Sequence, residues 1–225
     1  MTDAALTGIR AVLYDFDGTL ADSTELTMRC YRHTMRTHLG DVLPDEVWLS
    51  GFGTTLEAQM RRFGRDPGEV QAMLDTYRTY QNPIHDDLLR PFPDAAETVA
   101  ELERRGYGLA IVTSKRRRAA LRGMELCGLV RHFDVIVTPE DVTEAKPDPE
   151  PVLLALERLG VAPHQALFVG DSPHDVAAGR AAGTRTAAAL WGPFPRQALD
   201  EAAPDVFLRT QRDVLRLLNG GGPGS

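Results

Sequence analysis

Val12-Leu13-Tyr14-Asp15-Phe16-Asp17-Gly18-Thr19-Leu20 runs from an apolar stretch into two carboxylates separated by one apolar residue, then into a Gly-Thr turn. A short apolar run bounded by turn residues reads as a buried strand. Loops at the carboxyl ends of such strands are where open α/β sheets keep their chemistry. Asp15 and Asp17 stand close enough to share a metal ion, or to divide the work between a nucleophile and an acid/base. The same Asp-Gly pair between apolar residues also reads as a hairpin turn, so the remainder of the chain has to decide.

Downstream of Pro91-Phe92-Pro93-Asp94 the pattern becomes a regular alternation. Helices are predicted over Ala95–Arg105, Lys115–Cys127, Pro149–Leu159 and Pro173–Ala182, followed by Gly106, Gly128, Gly160 and Gly183, residues suited to a left-handed helix end. Strands are predicted over 9–15, Leu109–Thr113, Phe133–Val137 and Ala166–Asp171, with shorter ones at Thr184–Leu190 and Asp205–Leu208. This alternation implies a parallel sheet covered by helices on both faces. Right-handed crossovers then put every strand's carboxyl end on one rim.

Residues 21–88 read differently. Apolar spacing predicts helices over Ser23–His38, a short turn at Pro44–Leu49, and helices over Thr55–Phe63 and Pro67–Tyr80, the last with Asp66 and Pro67 as cap and first turn. No convincing strand is expected there. Because this helical region follows one strand directly, it reads as an insertion. The predicted organisation is a core of residues 1–20 and 89–219, a helical unit of 21–88, and a flexible tail, Gly220-Gly221-Gly222-Pro223-Gly224-Ser225.

The 225 residues, 43% hydrophobic and 25% charged, suffice for a sizeable core. A formal net charge of -7 argues against nucleic acid as the main partner, so a phosphate-bearing ligand needs a local positive site. No apolar stretch has the length of a membrane span. Two widely separated cysteines, Cys30 and Cys127, fit neither a zinc pattern nor a disulfide framework, and reduced thiols in the cytoplasm are the simplest reading. Positive charge is written almost wholly as arginine, and the only lysines are Lys115 and Lys146.

Four charged or polar segments converge on the expected rim: Asp15-Phe16-Asp17, Thr113-Ser114-Lys115, Lys146-Pro147-Asp148-Pro149 and Gly170-Asp171-Ser172-Pro173-His174-Asp175. Taken singly, Ser114 and Asp148 are plausible helix caps, and Ser172 with Asp175 reads as a variant capping box. Capping does not explain why two lysines and several carboxylates gather at one edge, because charges in a sheltered site need partners. A divalent cation and a bound phosphate supply them. Mg²⁺ prefers oxygen ligands and uses one or two carboxylates, for which Asp15 and Asp171 are the best candidates, with Asp175 a direct ligand or one step behind. A carboxylate can attack phosphorus. The Thr113 hydroxyl and the Lys146 ammonium are suited to hold phosphoryl oxygens. Asp17 is suited to protonate a leaving alcohol and then activate water.

With those segments in that order, the chain resembles the haloacid dehalogenase superfamily of phosphohydrolases. Asp15–Leu20 looks like its first motif, Thr113 its second, Lys146-Pro147 its third, and Gly170–Asp175 its fourth. The resemblance implies an α/β fold with a Rossmann-like parallel sheet core and an inserted α-helical cap, which residues 21–88 fit. It implies Asp15 as nucleophile, Asp17 as acid/base, Thr113, Ser114 and Lys146 at the phosphate, and Mg²⁺ held by Asp15, Asp171 and the backbone carbonyl of Asp17. The presence of Asp17 favours phosphate-ester chemistry over dehalogenation or phosphonate cleavage. Thr113-Ser114-Lys115-Arg116 and Ala178–Gly183 are most similar to phosphoglycolate phosphatases and the related cytoplasmic pyrophosphatases.

In capped members of that superfamily a loop between cap helices reaches over the leaving group, and the resemblance implies that role for Ser50-Gly51-Phe52-Gly53-Thr54-Thr55, whose glycines allow close approach; an ordinary helix–helix turn is the other reading. Arg61, Arg62 and Arg116–Arg118 read as solvated surface charges. The leading expectation is a Mg²⁺-dependent phosphatase of a small phosphorylated metabolite, phosphoglycolate first, acting as a monomer or homodimer. The alternatives are a pyrophosphatase or phosphomutase on the same scaffold, and a non-catalytic phosphate-binding protein.

Overall fold

The structure is a computed structural model that describes residues 6–218. The expected tail, residues 220–225, lies outside the described residues. The chain enters on β1 (Ala11–Tyr14) and touches β2 (Ala21–Asp22). It then runs through four helices, α1 (Thr24–Leu39), α2 (Asp45–Leu49), α3 (Leu56–Arg61) and α4 (Pro67–Leu88), and returns through β3 (Arg90–Pro91). From there strands and helices alternate: α5 (Ala95–Arg104), β4 (Gly108–Val112), α6 (Arg117–Leu126), β5 (Val135–Val137), α7 (Glu150–Leu159), β6 (Ala166–Gly170), α8 (Pro173–Ala181), β7 (Arg185–Ala189), α9 (Arg196–Ala202), β8 (Val206–Leu208) and α10 (Asp213–Leu217).

Six strands form one sheet in the order β5-β4-β1-β6-β7-β8, every neighbouring pair parallel. All four residues of β1 are buried, with Val12 and Tyr14 in one apolar cluster and Ala11 and Leu13 in another. Burial on both faces is what an unbroken apolar run provides. The parallel pairing of β1 with β4 and β6 rules out the hairpin reading of Asp17-Gly18. The chain first builds outward from β1 through β4 to β5, then crosses back to place β6 on the other side. The order therefore switches at β1, and a crevice opens at its carboxyl end, beside Asp15.

Helices α1 and α3 pack against α4, around an aromatic stack of Tyr31 on Trp48 at 4.5 Å, with Phe63 and Tyr77 beside it. Two expectations need correction here. Helix α4 does not stop at Tyr80 but continues to Leu88 with Pro83 inside it. An interior proline costs a helix about 3 kcal/mol, yet here Ile84 and Leu88 pack on the main apolar cluster and His85 is buried, so tertiary packing carries the helix past it. The region is also not free of strand: Ala21–Asp22 pairs antiparallel with Arg90–Pro91, a short ribbon where the chain enters and leaves the helices.

Candidate active site

The four charged segments do meet at the carboxyl ends of β1, β4 and β6. The Asp15 amide donates to Val169 O of β6, continuing the ladder one residue beyond β1. That bond aims the side chain into the crevice, where Oδ1 accepts from the Phe16 amide at 2.7 Å and lies 3.1 Å from Lys146 Nζ. Lys146 is buried, and its three N–H groups are all committed: to Asp15, to Asp175 Oδ1 at 2.6 Å and to Val112 O at 2.9 Å. What it offers an anion in the crevice is therefore charge rather than a free donor. At the start of α8, Asp175 Oδ2 accepts from the amide and hydroxyl of Ser172, and Ser172 Oγ accepts from the Asp175 amide, so the capping box forms as read.

Among the described residues, Asp15, Asp171 and Asp175 offer carboxylate oxygens within 4.8 Å of one another, all buried. Their oxygens are not equally available. Both oxygens of Asp175 are taken by Ser172 and Lys146. Asp171 Oδ1 accepts from the Thr19 hydroxyl at 2.7 Å, whereas its Oδ2 is buried with no hydrogen-bond partner. A Cβ on Gly18 would fall 2.4 Å from that same Oδ2, and Gly18 has φ +83, so the turn after Asp17 both needs glycine and leaves space around the orphaned oxygen. An unpaired buried carboxylate oxygen is costly unless something cationic meets it. The donor set, all hard oxygen, suits Mg²⁺.

The electrostatics agree. Three buried carboxylates face one ammonium. Burial pushes Asp15 up to about 7, opposed by Lys146 and reinforced by Asp175. Burial, with Asp175 and Asp15 nearby, lifts Asp171 well above the carboxylate range. For Lys146 burial favours the neutral form, but Asp15 and Asp175 outweigh it and keep the ammonium charged. The cluster holds more negative charge than its one lysine offsets, and a dication would relieve it. Both thiols are inert by comparison: burial pushes Cys30 up to about 12 and Cys127 up to about 11.

Asp17 points elsewhere. Its carboxylate stands apart from the three-carboxylate group and accepts from Lys115 Nζ at 2.8 Å. As a metal ligand it has only its backbone carbonyl to offer. Thr113 Oγ1 accepts from the Lys115 amide at 3.1 Å, leaving its hydroxyl hydrogen to donate. Ser114 does not cap a helix, because α6 begins only at Arg117; its hydroxyl donates to Gly53 O at 2.6 Å. Asp148 likewise sits one residue ahead of the cap position, which Pro149 occupies, and accepts from the Glu150 amide.

The bond from Ser114 brings the Gly51–Thr55 loop over the rim. Gly53 has φ +86, and a Cβ there would meet Ser172 Oγ at 2.6 Å. Phe52 is buried, Thr54 donates back to Gly51 O, and Thr55 caps α3 through the Ala58 amide. His174 lies under the same loop, and burial lowers its pKa. Three residues of the site were not singled out by sequence reasoning: Thr19, which holds Asp171, and Trp191 and Gln211, whose side chains both donate to Thr19 O, at 2.9 and 2.6 Å. Thr19 sits inside the first motif and was open to notice. Nothing local marks Trp191 or Gln211, which reach the site only through the sheet.

The sequence matches the family described as haloacid dehalogenase-like hydrolase over residues 12–189. A Caldanaerobacter subterraneus protein assigned as a pyrophosphatase PpaX is 40% identical over 212 residues, covering 94% of this chain and 96% of the relative. Pyrophosphatase PpaX of Bacillus velezensis is 39% identical over 217 residues, 96% of this chain and 98% of the relative. Among solved structures, a Lactobacillus plantarum protein assigned as a phosphoglycolate phosphatase matches with a TM-score of 0.83 and 29% identity, over 94% of this chain and 100% of its own.

Proposed function

The chain belongs to the haloacid dehalogenase-like hydrolase family, and from that premise we propose that it is a Mg²⁺-dependent phosphatase of small phosphorylated compounds that works through an aspartyl-phosphate on Asp15. The observation that carries this reading is the pair of uncommitted carboxylate oxygens, Asp15 Oδ2 and Asp171 Oδ2, beside the single ammonium of Lys146. Asp15, Asp171 and the Asp17 carbonyl would hold the metal, and Asp175 stands behind them, fixing Lys146 and Ser172. Bound there, Mg²⁺ supplies charge that neutralises the phosphoryl group and orients it.

The chain's own groups do the remainder. Asp15 Oδ2 attacks phosphorus as the bond to the leaving oxygen breaks. Asp17 gives that oxygen a proton, then takes one from the water that attacks the aspartyl-phosphate; inorganic phosphate leaves and Asp15 is regenerated. The Thr113 hydroxyl donates to a phosphoryl oxygen, and Lys146 offsets its charge. Residues 21–88 serve as a cap over the core that the described residues before and after them build, with Gly51–Thr55 shielding the reaction from water and sorting leaving groups. Pyrophosphate ranks ahead of phosphoglycolate as the substrate in this reading, with support from relatives named pyrophosphatases. The cytoplasm suits the two unpaired cysteines. Among the described residues no helix is long and apolar enough to cross a membrane.

Phosphate release from pyrophosphate, phosphoglycolate, hexose phosphates and nucleotides, with Mg²⁺ or with chelator, tests the proposal. Release that needs the metal is expected, and none from any compound with the fold intact would overturn it. In the same samples, metal at about a hundred times its dissociation constant should stabilise the fold by about 2.7 kcal/mol. For a chain of this size that raises the melting temperature by roughly 5–10 °C. Asp171→Asn should abolish the shift; an equal shift in that variant would move the metal elsewhere.

A further inference from the structure

The two lysines of the chain divide the two aspartates of the first motif between them, Lys146 beside Asp15 and Lys115 beside Asp17, but they are not equivalent. Lys146 spends all three N–H donors on protein acceptors. Lys115 spends one, on Asp17 Oδ1 at 2.8 Å, and rests over the face of Phe16, 5.6 Å from the ring centre. Its side chain is only 11% exposed. A sheltered ammonium with two unused donors is poorly solvated and ready to receive an anion.

We propose, resting on the phosphatase reading above, that Lys115 receives a second negative charge carried by the leaving group, so that the substrates are compact phosphate compounds whose leaving group is itself an anion. Position supports this. A proton donor works at about 2.6–3.2 Å from the oxygen it serves. Lys115 Nζ, 2.8 Å from Asp17, therefore lies within roughly two hydrogen-bond lengths of the leaving oxygen. A carboxylate or phosphate one or two bonds beyond that oxygen falls within its reach. A neutral alcohol of the same size offers it nothing.

The neighbourhood narrows the choice further. Ser114, adjacent to Lys115, is tied to Gly53 O, so the loop closes over this side of the crevice and favours short leaving groups. Four nearby arginines are engaged elsewhere: Arg61 with Glu57, Arg62 with Val47 O and Ser50, Arg116 with Glu140, Arg117 with Asp141, while Arg118 is exposed to solvent. Pyrophosphate and phosphoglycolate share the required chemistry; hexose monophosphates lack it.

The test compares kcat/KM for pyrophosphate and phosphoglycolate with that for ethyl phosphate, a neutral-leaving-group counterpart of phosphoglycolate, in wild type and Lys115→Met. The ratio of anionic to neutral substrate should fall by roughly 10- to 100-fold in the variant, the scale of a lost hydrogen bond to a charged group, with the larger part in KM. Whichever anionic compound has the higher kcat/KM identifies the source of the second charge. A variant that slows all three compounds equally would mean that Lys115 only orients Asp17, and would overturn the proposal.

A binding measurement stands apart from turnover and from the variant's folding. With Mg²⁺ present, wild type should bind methylenediphosphonate at least about tenfold more tightly than methylphosphonate. Equal affinity would overturn the Lys115 assignment even if phosphate is released, whereas absent turnover with the affinity difference intact would overturn the hydrolase reading alone.

Discussion

Asp15→Asn is expected to reduce phosphate release on the order of 10⁴-fold or more, the loss of about 5.5 kcal/mol of transition-state stabilisation that removal of a covalent nucleophile brings. The asparagine can still accept from the Phe16 amide through Oδ1, so the loop keeps its shape. What disappears is the Oδ2 lone pair that the proposed mechanism uses to attack phosphorus. The same change should not weaken the metal-free fold. Asp15 is lifted to about 7 in the folded chain, chiefly by burial, against about 3.9 in an unfolded one. Between those values the folded state binds more protons than the unfolded state, so metal-free stability declines as pH rises through that window. Asn carries no such penalty. Melting in chelator from pH 4.5 to 7.5 should show a gentler decline for Asp15→Asn and a melting temperature at pH 7.5 no lower than wild type. Residual turnover above about 1% of wild type would remove Asp15 from the nucleophile's role.

Lys146→Met should act oppositely, on stability first. The ammonium is the shared partner of Asp15 and Asp175 and also the donor to Val112 O, all in a buried setting. Removing one member of a buried ion pair leaves an uncompensated charge and costs about 3–5 kcal/mol, a large share of the 5–15 kcal/mol typical of a folded protein. Urea unfolding should show a lower midpoint at unchanged slope. Adding Asp175→Asn should recover part of the loss, because the two residues are coupled and the second change removes one orphaned carboxylate. A loss under about 1 kcal/mol for the single variant would mean that Lys146 is not the charge that holds this cluster together.

Much of this was legible in the residues. The alternation after Pro93 required a parallel sheet, and the apolar run Val12–Tyr14 is buried on both faces of that sheet. Asp15, Thr113 and Asp171 each directly follow a strand, and Lys146 lies in the connection from β5 to α7, so parallel crossovers bring all four to one rim, a relation that chain order alone conveys. Ser172 and Asp175 form the capping box their spacing announced. The misses share a cause. Helix α4 passes Pro83 because Ile84, His85 and Leu88 find burial that no local propensity records. Strands β2 and β3 are two residues each and lie far apart in sequence, too short to leave a periodic signal.

Sequence alone, then, was enough for the strand order's chemistry: which residue types stand at which strand ends, and hence which reaction class they suit. Period and spacing are local properties, and short-range sterics and hydrogen bonding express them directly. Which oxygen of which carboxylate remains uncommitted was decided only in three dimensions. Asp171 Oδ2 is orphaned because Thr19 takes its partner oxygen, and Thr19 is held by Trp191 and Gln211 from the far end of the chain. Lys115 keeps spare donors while Lys146 has none because the folded chain surrounds one with acceptors and the other with a single carboxylate and a ring. Those differences come from contacts between segments separated by scores of residues, and only the closed sheet brings such segments to hydrogen-bonding distance.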